Sequence, residues 1–138
     1  MIERRMTESR QRQSPAVEVH EFAVEAARLL ADRHCEDIRL LDVRNLSQVC
    51  DFVLIATGTS DRQMKSVADE LENSGAAQGH RAYRTSVDDI VTWVVVDFVD
   101  LVVHLFEPNQ RVYYDLEGLW HDAPEIPWKR LQGSGAGV

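Results

Sequence analysis

The sequence predicts an α/β domain with a mixed β-sheet of four or five strands and flanking helices. Apolar and β-branched runs of strand length recur along the chain, and segments with helical periodicity stand between them. The 138 residues fit one domain with a single core of ordinary size. The predicted order is helix, two strands, helix, one optional short strand, two strands and a helix. Such an order favours helices packed on a sheet.

Residues 16–132 are predicted to form this single domain. Residues 1–15 are polar and show no hydrophobic period, so we expect a flexible N-terminal arm there. Residues 133–138 consist mainly of glycine and other small residues, a composition typical of a flexible tail.

The first predicted elements are one helix and two strands. Ser14 and Pro15 give an N-cap followed by proline at the first helical position. Apolar residues at helical spacing then carry the helix to about His34. Residues 38–43 and residues 52–57 are apolar or β-branched, so each run predicts a strand.

A second helix and a short strand are predicted in the middle of the chain. Ser60 followed three residues later by Gln63 is a capping-box pattern, and it starts a helix that we expect to end at Gly75. Residues 80–84 predict the optional short strand, and residues 85–89 predict a polar loop.

Residues 93–106 predict two strands joined by a tight turn, and residues 114–120, after Pro108, predict a short helix. If the turn is the dipeptide Phe98-Val99, three pairs of residues lie opposite each other on one face: Asp97 and Asp100, Val95 and Val102, Trp93 and His104. The other face is purely aliphatic and consists of Val94, Val96, Leu101, Val103 and Leu105. Opposed like charges cost ~0.2–1 kcal/mol, so the mixed face is predicted to serve a function rather than stability.

The charge of the chain indicates which partners it can bind. The formal charge is −8, and residues 1–15 hold four arginines against two glutamates, so the rest of the chain carries −10. The body of the chain is therefore acidic, and only two of the fifteen cations are lysines, so little direct nucleic-acid contact is predicted. The acidic charge favours a basic protein partner.

Cysteine usage and apolar run length indicate the compartment. Cys35 and Cys50 show no CxxC spacing and are predicted to be reduced structural thiols, as expected in the cytoplasm. The longest apolar runs fall short of the ~20 residues that span a bilayer, so no membrane segment is predicted.

Two features of the sequence have a catalytic interpretation: the turn at residues 58–60 and the acids Asp97 and Asp100. Residues 58–60 could be a structural turn or could present backbone N–H groups to a phosphate, as in a nucleotide-binding enzyme. In nucleotidyltransferases a Gly-Ser turn precedes two metal-binding acids two residues apart, whereas Asp97 and Asp100 are three apart. His104 stands over ~12 Å from Asp100 along an extended strand, too far for a shared metal. No enzyme, metal or cofactor is therefore predicted, and the nucleotide- or phosphate-binding enzyme is kept as the alternative.

Five blocks of the sequence, in this order and spacing, resemble the Iojap family, the ribosomal silencing factors. The resemblance covers about residues 17–128, and its blocks are Leu-Asp-Val at 41–43, residues 51–60, residues 93–97, residues 100–104 and residues 111–120. At Val99 the family often has glycine, so this chain departs from the pattern at the predicted turn.

The resemblance implies a nucleotidyltransferase-like fold without the catalytic acids of that superfamily. It also implies binding to ribosomal protein fourteen of the large ribosomal subunit, where the small subunit would dock. The implied mechanism is steric, because an occupied subunit cannot join, and translation is repressed when nutrients are scarce.

The predicted partner-binding residues come from the mixed sheet face and the C-terminal helix. They are Trp93, Asp97, Asp100 and His104 as contacts, with Tyr114, Leu116 and Trp120 as contacts or supports. The same face could instead pair two copies of the chain when no ribosome is bound, because an apolar sheet face tends to self-associate. The homodimer therefore stays open beside the ribosomal partner.

Overall fold

A computed structural model describes residues 18–131 and shows a five-stranded mixed sheet, which confirms the predicted α/β class. The strand order is β1-β2-β5-β4-β3, and the β2–β5 pair is parallel while the other pairs are antiparallel. The elements in chain order are α1 (Val19–Asp32), β1 (Glu36–Asp42), β2 (Phe52–Thr57), α2 (Asp61–Ala77), β3 (Arg84–Val87), β4 (Trp93–Asp97), β5 (Leu101–Phe106), α3 (Pro108–Tyr114) and α4 (Leu116–Leu119).

Some predictions fall outside the described residues. These are the flexible arm of residues 1–15 and the flexible tail of residues 133–138, so both stay predictions. Across residues 18–131, the helices are all too short or too polar to cross a membrane.

The helix α1 begins later than the sequence predicted. Ser14 and Pro15 lie outside the described residues, and Glu18, with φ −59° and ψ 145°, has the extended backbone of an N-cap. The helix ends at Asp32, and His34 then adopts φ 71°, which no helix can continue through. The chain turns there into β1.

Helices α1 and α2 cover one face of the sheet, and the aliphatic side of β4 and β5 lies beneath them. The predicted aliphatic residues all have 0% of their surface exposed: Val94, Val96, Leu101, Val103 and Leu105. They share one core with apolar side chains of both helices, including Phe22, Leu30, Met64 and Leu71. The period of two along these strands therefore set the buried face, as the sequence predicted.

Helix α2 has the predicted start but a different end. The Ser60 hydroxyl accepts a hydrogen bond from the Gln63 backbone N–H at 3.0 Å. The helix does not end at Gly75 but continues to Ala77. A Cβ on Gly75 would lie 2.6 Å from the Phe98 ring and 2.5 Å from the His80 carbonyl oxygen, so glycine serves close packing at this position.

Strand β3 lies later in the chain than predicted. The strand is Arg84–Val87, so residues 80–84 were a wrong prediction for all but their last residue. Thr85, expected in a loop, pairs with Val96 of β4. The strand lies at the sheet edge, and only one of its four side chains is partly buried. Its sequence therefore lacks the alternation of apolar and polar residues that marks a half-buried strand.

The register of the β4–β5 pair differs from the prediction by two residues. Trp93 lies opposite Phe106, Val95 opposite His104, and Asp97 opposite Val102. The predicted pairing of Asp97 with Asp100 is therefore wrong. Because the shift is an even number, every strand residue keeps its predicted face.

Val99 explains this shift. Its φ is 74°, and the Asp100 N–H donates to the Phe98 carbonyl at 2.9 Å. This backbone angle and this hydrogen bond define a γ-turn centred on Val99. The Asp97 carboxylate accepts from the Val99 N–H at 2.7 Å and stabilises the turn. A β-branched residue in this conformation is strained.

The C-terminal segment forms two short helices instead of the single helix predicted over residues 114–120. Pro108 occupies the first turn of α3, where its missing N–H costs nothing. Asp115 has φ 46° and separates α3 from α4, and its side chain accepts from the Gly118 N–H. The sequence predicts a helix only after Pro108, whereas the proline starts the first of the two helices.

The strain at Val99 gives a stability prediction. Val99→Gly should raise the free energy of unfolding by up to about 1 kcal/mol. Left-handed backbone costs a β-branched residue ~1–2 kcal/mol, and the extra freedom of unfolded glycine offsets only ~0.5–1 kcal/mol. Urea unfolding measures the change. Val102→Gly, in a regular strand, is the control and should lower stability; a similar loss in both variants would contradict the strained turn.

Candidate docking face

The second face of the sheet is covered over β1 and β2 and partly exposed over β4 and β5. Over β1 and β2, the partly buried Leu116, Trp120 and Ala123 pack on a small apolar cluster that consists of Leu41, Val43, Val53, Ile55 and Phe106. Over β4 and β5, five side chains keep part of their surface in solvent, and we call them the open strip: Trp93, Val95, Asp97, Val102 and His104. Three of the four predicted primary contacts lie on this strip.

One end of the open strip is aromatic. The Trp93 ring lies 5.0 Å from the Phe106 ring and 4.5 Å from the Tyr114 ring, measured between centroids. The indole N–H of Trp93 donates to Nδ1 of His104 at 3.1 Å. Tyr114 is 46% exposed and lies above this cluster. The structure thus brings three predicted site residues, Trp93, His104 and Tyr114, into one group.

His104 is neutral in this environment. Burial lowers its pKa to about 4, and the negative charge of Asp97 opposes that shift only in part. Because Nδ1 accepts the indole hydrogen bond, the neutral ring carries its proton on Nε2. At neutral pH the aromatic end therefore presents an uncharged surface with one N–H donor.

Asp88 holds Trp93 in place. Its carboxylate accepts hydrogen bonds from the backbone N–H groups of Thr92, at 2.6 Å, and of Trp93, at 2.9 Å. Burial acts to raise the pKa of Asp88, but the hydrogen bond from the Thr92 hydroxyl, together with these two backbone hydrogen bonds, outweighs it and leaves the pKa below its usual value. Asp88 was not among the predicted site residues, although an aspartate a few residues before a strand is a recognisable turn signal.

The other end of the open strip is acidic. Asp97 is on the strip, and Asp100 follows the γ-turn, with its carbonyl accepting from the N–H groups of Asp51 and Phe52 at 2.9 and 3.0 Å. The pKa of the neighbouring Cys50 thiol is raised mainly by burial and further by the charges of Asp51, Asp97 and Asp100. The charges of three carboxylates therefore act on this end of the sheet. Asp51 was missed because only the parallel β2–β5 pairing brings it here.

A buried arginine attaches the C-terminal helices to the sheet. Arg111, 8% exposed, donates to the Thr57 hydroxyl at 2.8 Å and to the Glu117 carboxylate at 2.8 and 3.2 Å. Burial acts to raise the pKa of Glu117, but the hydrogen bond and charge of Arg111 lower it overall. Arg39 extends the network to Glu117 and Glu125. Tyr114 is positioned by this attachment.

The remaining predicted residues differ in exposure. Leu116 and Trp120 are half-buried against the small cluster, so they lie as supports rather than as the most accessible contacts. Their neighbours Val112, Tyr113 and Leu119 are 79%, 76% and 67% exposed and were missed. In helices this short, sequence periodicity does not identify the exposed side.

The turn at residues 58–60 has a structural explanation for each of its features. A Cβ on Gly58 would lie 2.2 Å from the Met64 side chain, so glycine permits the close packing of α2. The Gly58 N–H donates to the Phe106 carbonyl at 2.8 Å, and the Thr59 N–H donates to the Gln63 side chain at 2.8 Å. These donors are engaged within the fold, which supports the structural turn over a phosphate site. Residues 18–131 contain no group of three or more His, Cys, Asp or Glu placed to hold a metal ion.

The buried His104 gives a pH prediction. An unfolded histidine has a pKa near the usual 6.5, whereas the folded one is about 4, so unfolding takes up a proton between these values. The stability from the neutral ring is present above pH 6.5 and is lost as the pH falls towards 4. The free energy of unfolding should therefore decline less steeply between pH 7 and 4.5 in His104→Gln than in the unmodified chain. The two slopes should differ by up to about 1.4 kcal/mol per pH unit.

Urea unfolding at several pH values measures this difference in slope. His121→Gln is the matched control, because the His121 side chain is 73% exposed and makes only surface contacts in the described structure. Equal slopes for His104→Gln and the unmodified chain would show that His104 does not titrate as a buried ring.

The Arg111 network gives a second stability prediction. Arg111→Met should lower the free energy of unfolding by about 3 kcal/mol, because it leaves the partly buried Glu117 carboxylate without its main partner. Arg39→Met, at a side chain that is 40% exposed, should cost less than about 1 kcal/mol. Comparable losses in the two variants would argue against a special role for Arg111.

Comparisons with known proteins agree on one family. The family model described as "Ribosomal silencing factor during starvation" matches residues 16–136. The Bacillus subtilis protein named ribosomal silencing factor RsfS is 40% identical over 99 residues, which are 72% of this chain and 84% of that protein. The maize protein named Iojap, chloroplastic, is 32% identical over 105 residues, which are 76% of this chain and 46% of that protein.

Solved structures show the same relationship. A crystal structure of a Chromobacterium violaceum protein has a TM-score of 0.72 and 31% identity, covering 83% of this chain and 94% of that one. A Bacillus halodurans crystal structure has a TM-score of 0.64 and 33% identity, covering 79% and 96%. The finer prediction of a nucleotidyltransferase-like fold stays a prediction. On the length of the family match and the identity of its relatives, the chain belongs to the ribosomal silencing factor family.

Proposed function

We propose that this protein represses translation by binding the large ribosomal subunit through ribosomal protein fourteen and blocking subunit joining. The family membership supports a silencing role, and the relatives carry that role in their names. The open strip supplies the surface for it. The proposed contacts are Trp93, Asp97 and His104 on the strip and Asp100 and Tyr114 beside it, with Leu116 and Trp120 as supports.

The observation that carries this proposal is the placement of an aromatic end and an acidic end on one half-exposed sheet face. Trp93 and Tyr114 provide large, partly exposed rings, which are the residue types enriched at binding hot spots. Asp97 and Asp100 provide negative charge at the opposite end. A basic protein surface with an apolar patch is complementary to both.

The charge of the whole protein supports a basic partner. Residues 16–138 carry −10, so a positively charged ribosomal protein is attracted before contact is made. The same charge repels exposed ribosomal RNA, which restricts docking to protein surfaces on the subunit. Association should therefore slow as ionic strength rises.

The proposed mechanism needs no chemical step. A folded domain bound where the small subunit docks excludes that subunit by volume, so repression follows from occupancy of the site alone. An unbound homodimer through the same face would compete with ribosome binding, and that arrangement stays a prediction.

Co-sedimentation with purified large subunits tests the proposal. The Trp93→Ala, Asp100→Lys double variant should bind at least ~30-fold more weakly, because loss of a hot-spot residue costs ~2 kcal/mol or more. The matched control is Trp128→Ala, Asp69→Lys, which removes one tryptophan on the helix side and reverses one exposed charge on α2. Circular dichroism checks that both variants are folded.

The outcomes separate the function from the site. If the unmodified protein does not sediment with large subunits, the proposed function is wrong. If both double variants bind as the unmodified protein does, the function stands and the open strip is the wrong surface. A subunit-joining assay completes the test, since the bound protein should reduce the yield of complete ribosomes.

A further inference from the structure

The described chain begins at the acidic end of the sheet. His20, in the first turn of α1, packs edge-on against Phe52 with 5.8 Å between the ring centroids. The backbone N–H of Phe52 donates to the Asp100 carbonyl at 3.0 Å. Residues 1–17 therefore join the domain beside the turn that carries Asp97 and Asp100.

These residues are complementary in charge to that end of the sheet. Residues 1–15 carry four arginines against two glutamates, whereas the rest of the chain carries −10. The acidic end gathers Asp51, Asp97 and Asp100, next to the half-buried apolar surface of Val95 and Val102. A segment with arginines fits this surface better than any uncharged segment of the chain would.

The length of the segment is sufficient. Arg12 and Arg10 stand six and eight residues before Glu18. At about 3.3 Å per extended residue they reach roughly 20 and 26 Å from the start of α1. The path around the end of the sheet is shorter, because packed layers lie only ~10 Å apart. Residues two apart in an extended segment also project to the same side, so both arginines can face the strip together.

We propose that residues 1–17 bind across the acidic end of the open strip of the same molecule, with Arg10 and Arg12 placed against Asp97 and Asp100. The segment occupies part of the face that the proposed function assigns to the ribosomal partner, so the contact adds self-masking to that function. A more strongly basic partner displaces it.

The masking is partial by its nature. Exposed arginine–carboxylate pairs are individually weak and are screened by salt, so the bound and released forms coexist. If the segment covers half to four-fifths of the molecules, the apparent Kd for a partner at this face rises about two- to fivefold. Ionic strength then sets how much of the face is available.

Paramagnetic relaxation in the full chain tests the contact directly. A nitroxide is attached at Ser9→Cys in a chain that also carries Cys50→Ala. Cys35 is buried and its pKa is raised to about 11, so it does not compete for the label. The amide signals of Asp97, Asp100 and Val102 should lose most of their intensity at low salt and regain it in ~1 M sodium chloride, where the Debye length is ~3 Å.

Charge variants make the test specific. Arg10→Gln with Arg12→Gln in the labelled chain should restore the three signals at low salt. Arg62→Gln with Arg81→Gln removes two exposed cations of the domain instead, and should leave the broadening unchanged.

The proposal is overturned if the label does not broaden the open-strip signals, or if the Arg10, Arg12 variant broadens them as much as the unmodified chain does. The readout contains no ribosome. A negative result here therefore leaves the proposed function standing, and a failure to bind ribosomes leaves this contact standing.

Discussion

The alternation of side chains along β4 and β5 decides which residues are buried and which stay at the surface. The alternate residues of the two strands are fully buried under α1 and α2: Val94 and Val96 in β4, and Leu101, Val103 and Leu105 in β5. Burying a valine or leucine side chain stabilises by about 1.5–3 kcal/mol, so the five aliphatic residues of this pair fix which face points inward. The residues between them are then held on the opposite face, whatever their own preference for water.

The mixed character of that opposite face follows from this constraint. Trp93 and His104 satisfy each other with one hydrogen bond, and Asp97 accepts from the Val99 N–H of the turn. These contacts stabilise the turn and the aromatic end, but they do not decide which face of the sheet is buried. The side chains of the open strip are therefore available for recognition, while Asp88 and Arg111 hold the surrounding segments in place.

The sequence predicts those features of this structure that depend on local side-chain pattern, and it does not predict those that depend on tertiary contacts. The strand Phe52–Thr57 was predicted with its observed bounds, because all six side chains are buried and the pattern is uninterrupted. The faces of β4 and β5 were predicted because a period of two survives a shift by two residues. The register itself was not, because β-branched Val99 occupies a positive φ that its residue type argues against. Asp51 joins the site only through the parallel β2–β5 pairing, and the contacts of Arg111 depend on the break between α3 and α4 at Asp115. Neither feature can be seen in the local sequence pattern.

The proposed function requires the open strip to be the surface that contacts the ribosome. The most direct measurement is a structure of this protein bound to the large subunit, determined by electron cryo-microscopy. We expect Trp93 and Asp100 to face ribosomal protein fourteen at the subunit-joining surface. A bound protein whose open strip faces solvent, or one attached away from the joining surface, would contradict it.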